Sequence, residues 1–143
     1  SGWIATSPLE VIAVNHEMGL HTLVLLDLDP TGAGTGEQRP MQPVDAVESL
    51  NAMAGKLVEA VEGMPVDSTL EQLKVENITQ ICSDISALKV VLCSDMGTSE
   101  QSIVTTTVGS LADIEGGRLN CLVFPANTSD VEEKALLRWL KEE

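Results

Sequence analysis

The stretch that most constrains the fold is His21 to Asp27, HTLVLLD. It is nearly continuous in apolar side chains, short for a helix, and bounded by Gly19 on one side and a punctuated segment on the other. Such a run suits a strand covered on both faces, as in a helix-flanked parallel or mixed sheet. Residues 28–43 carry Pro30, Gly32, Gly34, Gly36, Pro40 and Pro43 and read as a loop. A strand that leads into Gly32-Ala33-Gly34-Thr35-Gly36 raises the question of a nucleotide turn. A dinucleotide site needs its glycines to open directly into a helix, whose N-terminus holds the pyrophosphate. Here Glu37-Gln38-Arg39-Pro40 follows, a second proline precedes Val44, and no lysine stands in a P-loop position. The glycines therefore read as a surface connection, and the weight of the segment falls on the strand.

Helices flank that strand. Ser7-Pro8-Leu9-Glu10 is a helix start, with Ser7 as cap, Pro8 in the first turn and Glu10 completing a capping box. Leu9, Ile12, Ala13 and His16 share one face, which places His16 in or at the edge of the core, and Gly19 ends the helix. A second helix runs from about Val44 to Val61, with Val47, Leu50, Ala54, Leu57, Val58 and Val61 at helical spacing. Within residues 66–88, Ile78, Ile81, Cys82, Ile85 and Leu88 form another helical stripe, and Ser68 to Val75 suits a short helix. Val90 to Cys93, Ile103 to Val108 and Leu119 to Phe124 read as strands, with a short helix near residues 110–114. Ser129-Asp130-Val131-Glu132 is a second capping box that opens a last helix through Leu140, with Val131, Ala135 and Trp139 on one side. The order gives an α/β fold, a mixed β-sheet flanked by helices, in a single domain over residues 1–143.

Composition excludes several functions. The chain has 143 residues, 43% of them hydrophobic, with two Trp, one Phe and no Tyr, so its core is aliphatic. Eight Lys and Arg face 22 Asp and Glu, a net charge of -14, which argues against nucleic acid or an anionic membrane as partner. Scattered acid and few lysines suit a halophilic source, or simply an acidic soluble domain. No run approaches the roughly 18 apolar residues of a membrane helix. The start, SGWIATSP, has no signal-peptide pattern, so a cytoplasmic location is expected. Cys82, Cys93 and Cys121 are an odd set without CxxC spacing and read as buried free thiols. His16 and His21 have no ligand spacing to any cysteine, so no metal site is expected. No Ser/His/Asp, Cys/His or paired-carboxylate constellation stands out, so no catalytic residue is assigned and a self-contained hydrolase is not expected.

One block is more specific. Trp3, Thr6 and Ser7 form a W-x-x-T-S helix start. Asn15, Glu17, Gly19, Leu20, His21, Thr22, Leu23, Leu26 and Asp27 then follow the pattern N-x-E-x-G-L-H-T-L-x-x-L-D without a gap. This resembles the start of the C-terminal domain of the diphthine synthases, methyltransferases of the tetrapyrrole-methylase type. Farther on the likeness loosens. Val91-Leu92-Cys93-Ser94-Asp95-Met96-Gly97 stands where the family has V-V-L-A-R-A-G, and Asn120-Cys121-Leu122-Val123-Phe124-Pro125 where it has H-x-L-I/V-x-P. Residues 66–88 look like additional material.

The resemblance implies a chain that forms half of a two-domain, homodimeric enzyme. Such an enzyme moves methyl groups from S-adenosylmethionine to the modified histidine of elongation factor 2, leaving S-adenosylhomocysteine. The N-terminal domain that completes the cofactor cleft is absent, so the domain alone is expected to be inactive. The cofactor-facing positions carried over are Leu26 at the strand end, Met96 before the turn glycine and Asn120 at the opening of the last strand. Met96 is bulkier than the family's alanine, Asn120 replaces a histidine, and Asp95 inverts an arginine's charge. These departures keep a second reading open, a diverged non-catalytic domain that assembles or binds a partner.

Overall fold

A computed structural model describes residues 5–26, 28–29 and 39–140, with only the backbone at 28, 29 and 39. Asp27 and the glycine-rich residues 32–36 lie outside the described residues. The elements are α1 (Ser7–Glu17), β1 (Thr22–Leu26), β2 (Leu28–Asp29), β3 (Arg39–Pro40), α2 (Pro43–Glu62), α3 (Thr69–Ser83), β4 (Lys89–Ser94), β5 (Ser102–Thr107), α4 (Val108–Leu111), β6 (Asn120–Phe124) and α5 (Asp130–Arg138). A 3-10 turn over Ile85–Ala87 links α3 to β4.

The α/β class and the helix-flanked sheet stand. The four long strands lie in the order β1-β6-β4-β5, and each neighbouring pair is antiparallel. A parallel contact comes from the chain end, where Leu140 bridges Thr105 on the β5 edge. The expected loop over 28–43 is drawn together at its ends, because Leu28–Asp29 and Arg39–Pro40 pair as a two-residue antiparallel ladder.

Strand alternation divides the sheet into two unlike faces. On one, Val24, Leu122, Leu92 and Val104 stand in a row, as do Thr22, Phe124 and Val90. The helices pack here. Leu9, Ile12 and Ala13 of α1, Leu50, Ala54 and Leu57 of α2, and Ile78, Ile81 and Cys82 of α3 join Val90, Leu92, Leu122 and Phe124 in one core. Each such aliphatic side chain contributes roughly 1.5–3 kcal/mol on full burial, so the helical layer supplies most of the stability.

The other face carries Leu23, Val123, Val91 and Thr105 in one row and Leu25, Cys121, Cys93 and Ile103 in the next. Leu23 and Leu25 are 61% and 73% exposed. The expectation that HTLVLLD is covered on both faces therefore fails among the described residues: β1 is at the edge of the sheet, and helices cover one of its faces. A continuous apolar run shows that both faces are apolar, and it does not show that one chain supplies both layers.

Two helix expectations also change. His16 is exposed at the end of α1, one turn beyond the buried Ala13. None of the residues of α5 is buried, and Val131 and Trp139 face solvent. Its ends hold it instead. Ser129 and Glu132 form the anticipated capping box, and the Thr105 N–H donates to the Trp139 carbonyl at 2.7 Å. The α1 start shifts by one residue: Thr6 is the N-cap, and its hydroxyl donates to Glu10 Oε2 at 3.1 Å. Within residues 66–88, Thr69–Ser83 form one helix, α3, capped by Ser68, which joins the expected short helix to the Ile78–Cys82 part of the stripe, and Ile85 falls in the 3-10 turn that follows.

Candidate functional site

At one end of the sheet the family-like motif folds into a turn. Gly19 takes φ +74, which glycine adopts at no steric cost. A Cβ there would also meet Asn127 Nδ2 at 3.3 Å. Asn15 donates from Nδ2 to the buried Thr22 hydroxyl at 3.1 Å and ties α1 to β1. His21 Nδ1 accepts from the Ala126 N–H at 2.9 Å, which leaves Nε2 to hold the proton shared with Glu132. The Ser129 backbone N–H, the His21 ring and the Ser129 hydroxyl together hold the Glu132 carboxyl at about 2, well below its ordinary value. These residues bind one another, so their work is to shape the α1–β1 turn.

The opposite end gathers the positions expected to face a cofactor. The register sets Leu26 against Asn120 and Asn120 against Ser94, and Met96 follows two residues later. The sequence thus places Leu26, Met96 and Asn120 together. Their surroundings differ. Leu26 is half-buried and lines an apolar cavity of about 170 Å3 between α1, α2 and the sheet, with Pro8, Ile12, Met41, Leu50 and Met53. Met96 is about half exposed on the rim of an open cleft of about 810 Å3. That cleft is built from Ser94 to Ser102 and Glu115 to Leu119. Asn120 links the two cavities through its hydrogen bonds and is 6% exposed.

Asn120 is fully engaged. Its Oδ1 accepts from the Ser94 hydroxyl at 2.9 Å and the Gly117 N–H at 2.8 Å. Its Nδ2 donates to the carbonyls of Met41 at 3.0 Å and Gly117 at 3.1 Å. A side-chain amide has two donor hydrogens and two acceptor positions, and all four are used here. Asn120 therefore holds a turn and offers no free hydrogen-bonding position to a ligand.

Sequence reading missed the knot around that turn. Gln42, the N-cap of α2, accepts the Gly116 N–H at Oε1 and donates from Nε2 to the Gly117 carbonyl. Asp95 Oδ1 accepts the N–H groups of Arg118 and Leu119 at 2.9 and 3.0 Å, and the Asp95 N–H donates to the Leu119 carbonyl. Asp95 has φ +50, a conformation that Asp adopts more readily than most residues. The acid that stands at the arginine position is thus a backbone-binding group. Only glycines fit between these side chains: a Cβ on Gly117 would lie 2.2 Å from the Asp95 carboxylate, and one on Gly116 would lie 2.6 Å from Asn120 Oδ1. The Gly-Gly pair just before Asn120 was the available sequence signal.

The cleft rim carries Asp95, Glu100 and Glu115 against Arg118, a net negative set. Its size suits a small-molecule ligand. Among the described residues no three His, Cys, Asp or Glu side chains cluster as metal ligands, and no helix is long and apolar enough to cross a membrane.

Comparisons with known proteins agree on a relationship. No family model matches the chain. It is 28% identical over 131 residues to the diphthine synthase of Methanococcus aeolicus, covering 91% of this chain and 40% of that protein. It is 32% identical over 138 residues to an Arabidopsis thaliana protein named "probable diphthine methyl ester synthase", covering 94% and 45%. A solved structure of an Entamoeba histolytica protein described as a "putative diphthine synthase" covers the whole chain and 48% of its own, with TM-score 0.69 at 22% identity. A conserved hypothetical protein of Aeropyrum pernix K1 superposes with TM-score 0.66 at 25% identity, over 96% of this chain and 40% of its own. The chain spans less than half the length of these relatives. Along about nine-tenths of its length, therefore, this chain is similar to proteins named diphthine synthase, and it corresponds to their C-terminal part.

Proposed function

We propose that the chain is one domain, the C-terminal half of a diphthine-synthase-like methyltransferase, and that the end of the sheet bearing Leu26, Met96 and Asn120 forms one wall of the cleft for S-adenosylmethionine. The likeness to the diphthine synthases carries this reading, and the placement of the three positions at one sheet end supports it. The methyl acceptor would be the modified histidine of elongation factor 2, and the enzyme would work as a cytoplasmic homodimer.

The residues fit such a ligand in part. The bound cofactor supplies an electrophilic methyl group on a sulfonium centre, so the protein must position and desolvate more than it must move protons. Leu26 would give an apolar wall and Met96 the rim. The carboxylates of Asp95, Glu100 and Glu115 would favour a cationic ligand over an anion. Asn120 would serve as a positioning residue, fixing the 116–118 turn against which the ligand lies.

A second reading, a diverged domain that assembles without catalysis, is favoured by one observation: Asn120 has no hydrogen-bonding position left. Calorimetric titration of S-adenosylhomocysteine into the full-length protein separates the two. The first reading expects micromolar binding (about -8 kcal/mol), weakened by Leu26→Asp. Absence of binding by a folded full-length protein would leave the non-catalytic reading.

A further inference from the structure

We propose that Cys93 and Cys121 form a two-sulfur site for a soft monovalent cation of the copper(I) class on the open face of the sheet. The β4–β6 register sets the two residues directly opposite each other, on the face away from α1, α2 and α3. Both are free and half-buried. Burial, then the charge of the neighbouring Cys121 and a hydrogen bond with it, pushes the Cys93 thiol up to about 11, so the empty pair rests as thiols and an ion must displace their protons. The row continues apolar on both sides, to Leu25 and Ile103.

Distance decides between a bound cation and a disulfide. Directly opposed residues in an antiparallel pair place their Cβ atoms about 4.5–5.5 Å apart, whereas a disulfide draws them to about 3.8 Å. The Asp95 N–H donates to the Leu119 carbonyl two residues along the same register. By alternation Cys93 and Cys121 then belong to the wider class of pair, with Cα atoms about 5.5 Å apart. A disulfide would require the strands to close, but an interposed cation would not. The two thiols already hydrogen-bond to each other, so side-chain rotation alone can turn both sulfurs toward an ion placed between them.

The donor set selects the ion. Zinc wants four ligands and calcium or magnesium wants oxygen. Among the described residues no third His, Cys, Asp or Glu joins the pair. Two thiols in apolar surroundings suit a soft ion that accepts two-coordination. Binding displaces both thiol protons to solvent, and the two thiolates leave one net negative charge beside the monovalent ion.

The test is anaerobic titration of the whole chain with copper(I) against a chromophoric copper(I) chelator. One ion per chain is expected. Cys93→Ser and Cys121→Ser should each lose that binding, and Cys82→Ser should retain it. Circular dichroism checks that the variants fold, and X-ray absorption on the loaded wild-type chain should show two sulfur neighbours. The proposal is overturned if the folded serine variants still bind, if the binding follows Cys82, or if the chain as isolated already carries a Cys93–Cys121 disulfide by mass and takes up no ion.

Discussion

The two ends of the sheet use polar side chains in different ways. At the Thr22 end the hydrogen bonds are between neighbours in the motif and one later segment: Asn15 to Thr22, and His21 to Ala126 and Glu132. At the Asn120 end, side chains from three separate places, Gln42, Asp95 and Asn120, converge on the turn at residues 116–119. The first end keeps the family-like residues, and the second holds the departures Asp95 and Asn120. The difference teaches that sequence likeness here is densest where local geometry is at stake. The end that would face a ligand joins its polar contacts as a set, in which the acid, the amide and the glycines depend on one another.

That contrast can be broken by mutation. Asn120→Leu should be the most damaging, by about 2–4 kcal/mol in denaturant unfolding, because it strands the Gly117 N–H and the Ser94 hydroxyl inside the protein. Gly117→Ala should cost about 1–3 kcal/mol, since the new methyl displaces a carboxylate that two N–H groups hold in place. In a combined Gly117→Ala and Asp95→Ala chain the clash is relieved, so the loss should be smaller than the sum of the single losses; a loss equal to that sum would show that the knot does not act as a unit.

At the other end the expected losses are smaller. Gly19→Ala should cost about 1–2 kcal/mol for the left-handed backbone alone. Asn15→Ala should cost about 1 kcal/mol by the same assay.

The gentlest probe is acid. The Glu132 carboxyl titrates lower in the folded chain than its ordinary 4.5, at about 2. Its contribution is therefore complete above about 4.5 and is lost as pH falls toward about 2. Carboxyl NMR titration of His21→Ala should show the value rising only part of the way, because the Ser129 backbone N–H remains the larger cause.

Much of the fold was legible because its signals are local. The capping box at Ser129, the helical stripe of α2 and the strand pattern of β4 and β6 each sit within a few residues. The candidate site rests on likeness, which singled out Leu26, Met96 and Asn120, and the strand register then sets Leu26 beside Asn120. The Gln42–Gly117 contact joins residues 75 apart in the chain, and no periodicity announces such a contact. Asp95 looked like a reversed charge because its partners are backbone N–H groups, which any sequence has. The bare face of β1 escaped for a related reason: hydropathy reports what a strand can bury, and its neighbours decide what it does bury.

The absence of any buried side chain in α5 has a consequence for how the molecule comes apart. Helices α1 and α2 cannot leave without exposing the core, but α5 can lift off at the cost of its end contacts and little else. On gentle warming its amides should exchange with solvent first. The β5 margin would then lose the backbone contact between Thr105 and Trp139 while its ladder with β4 stays shut.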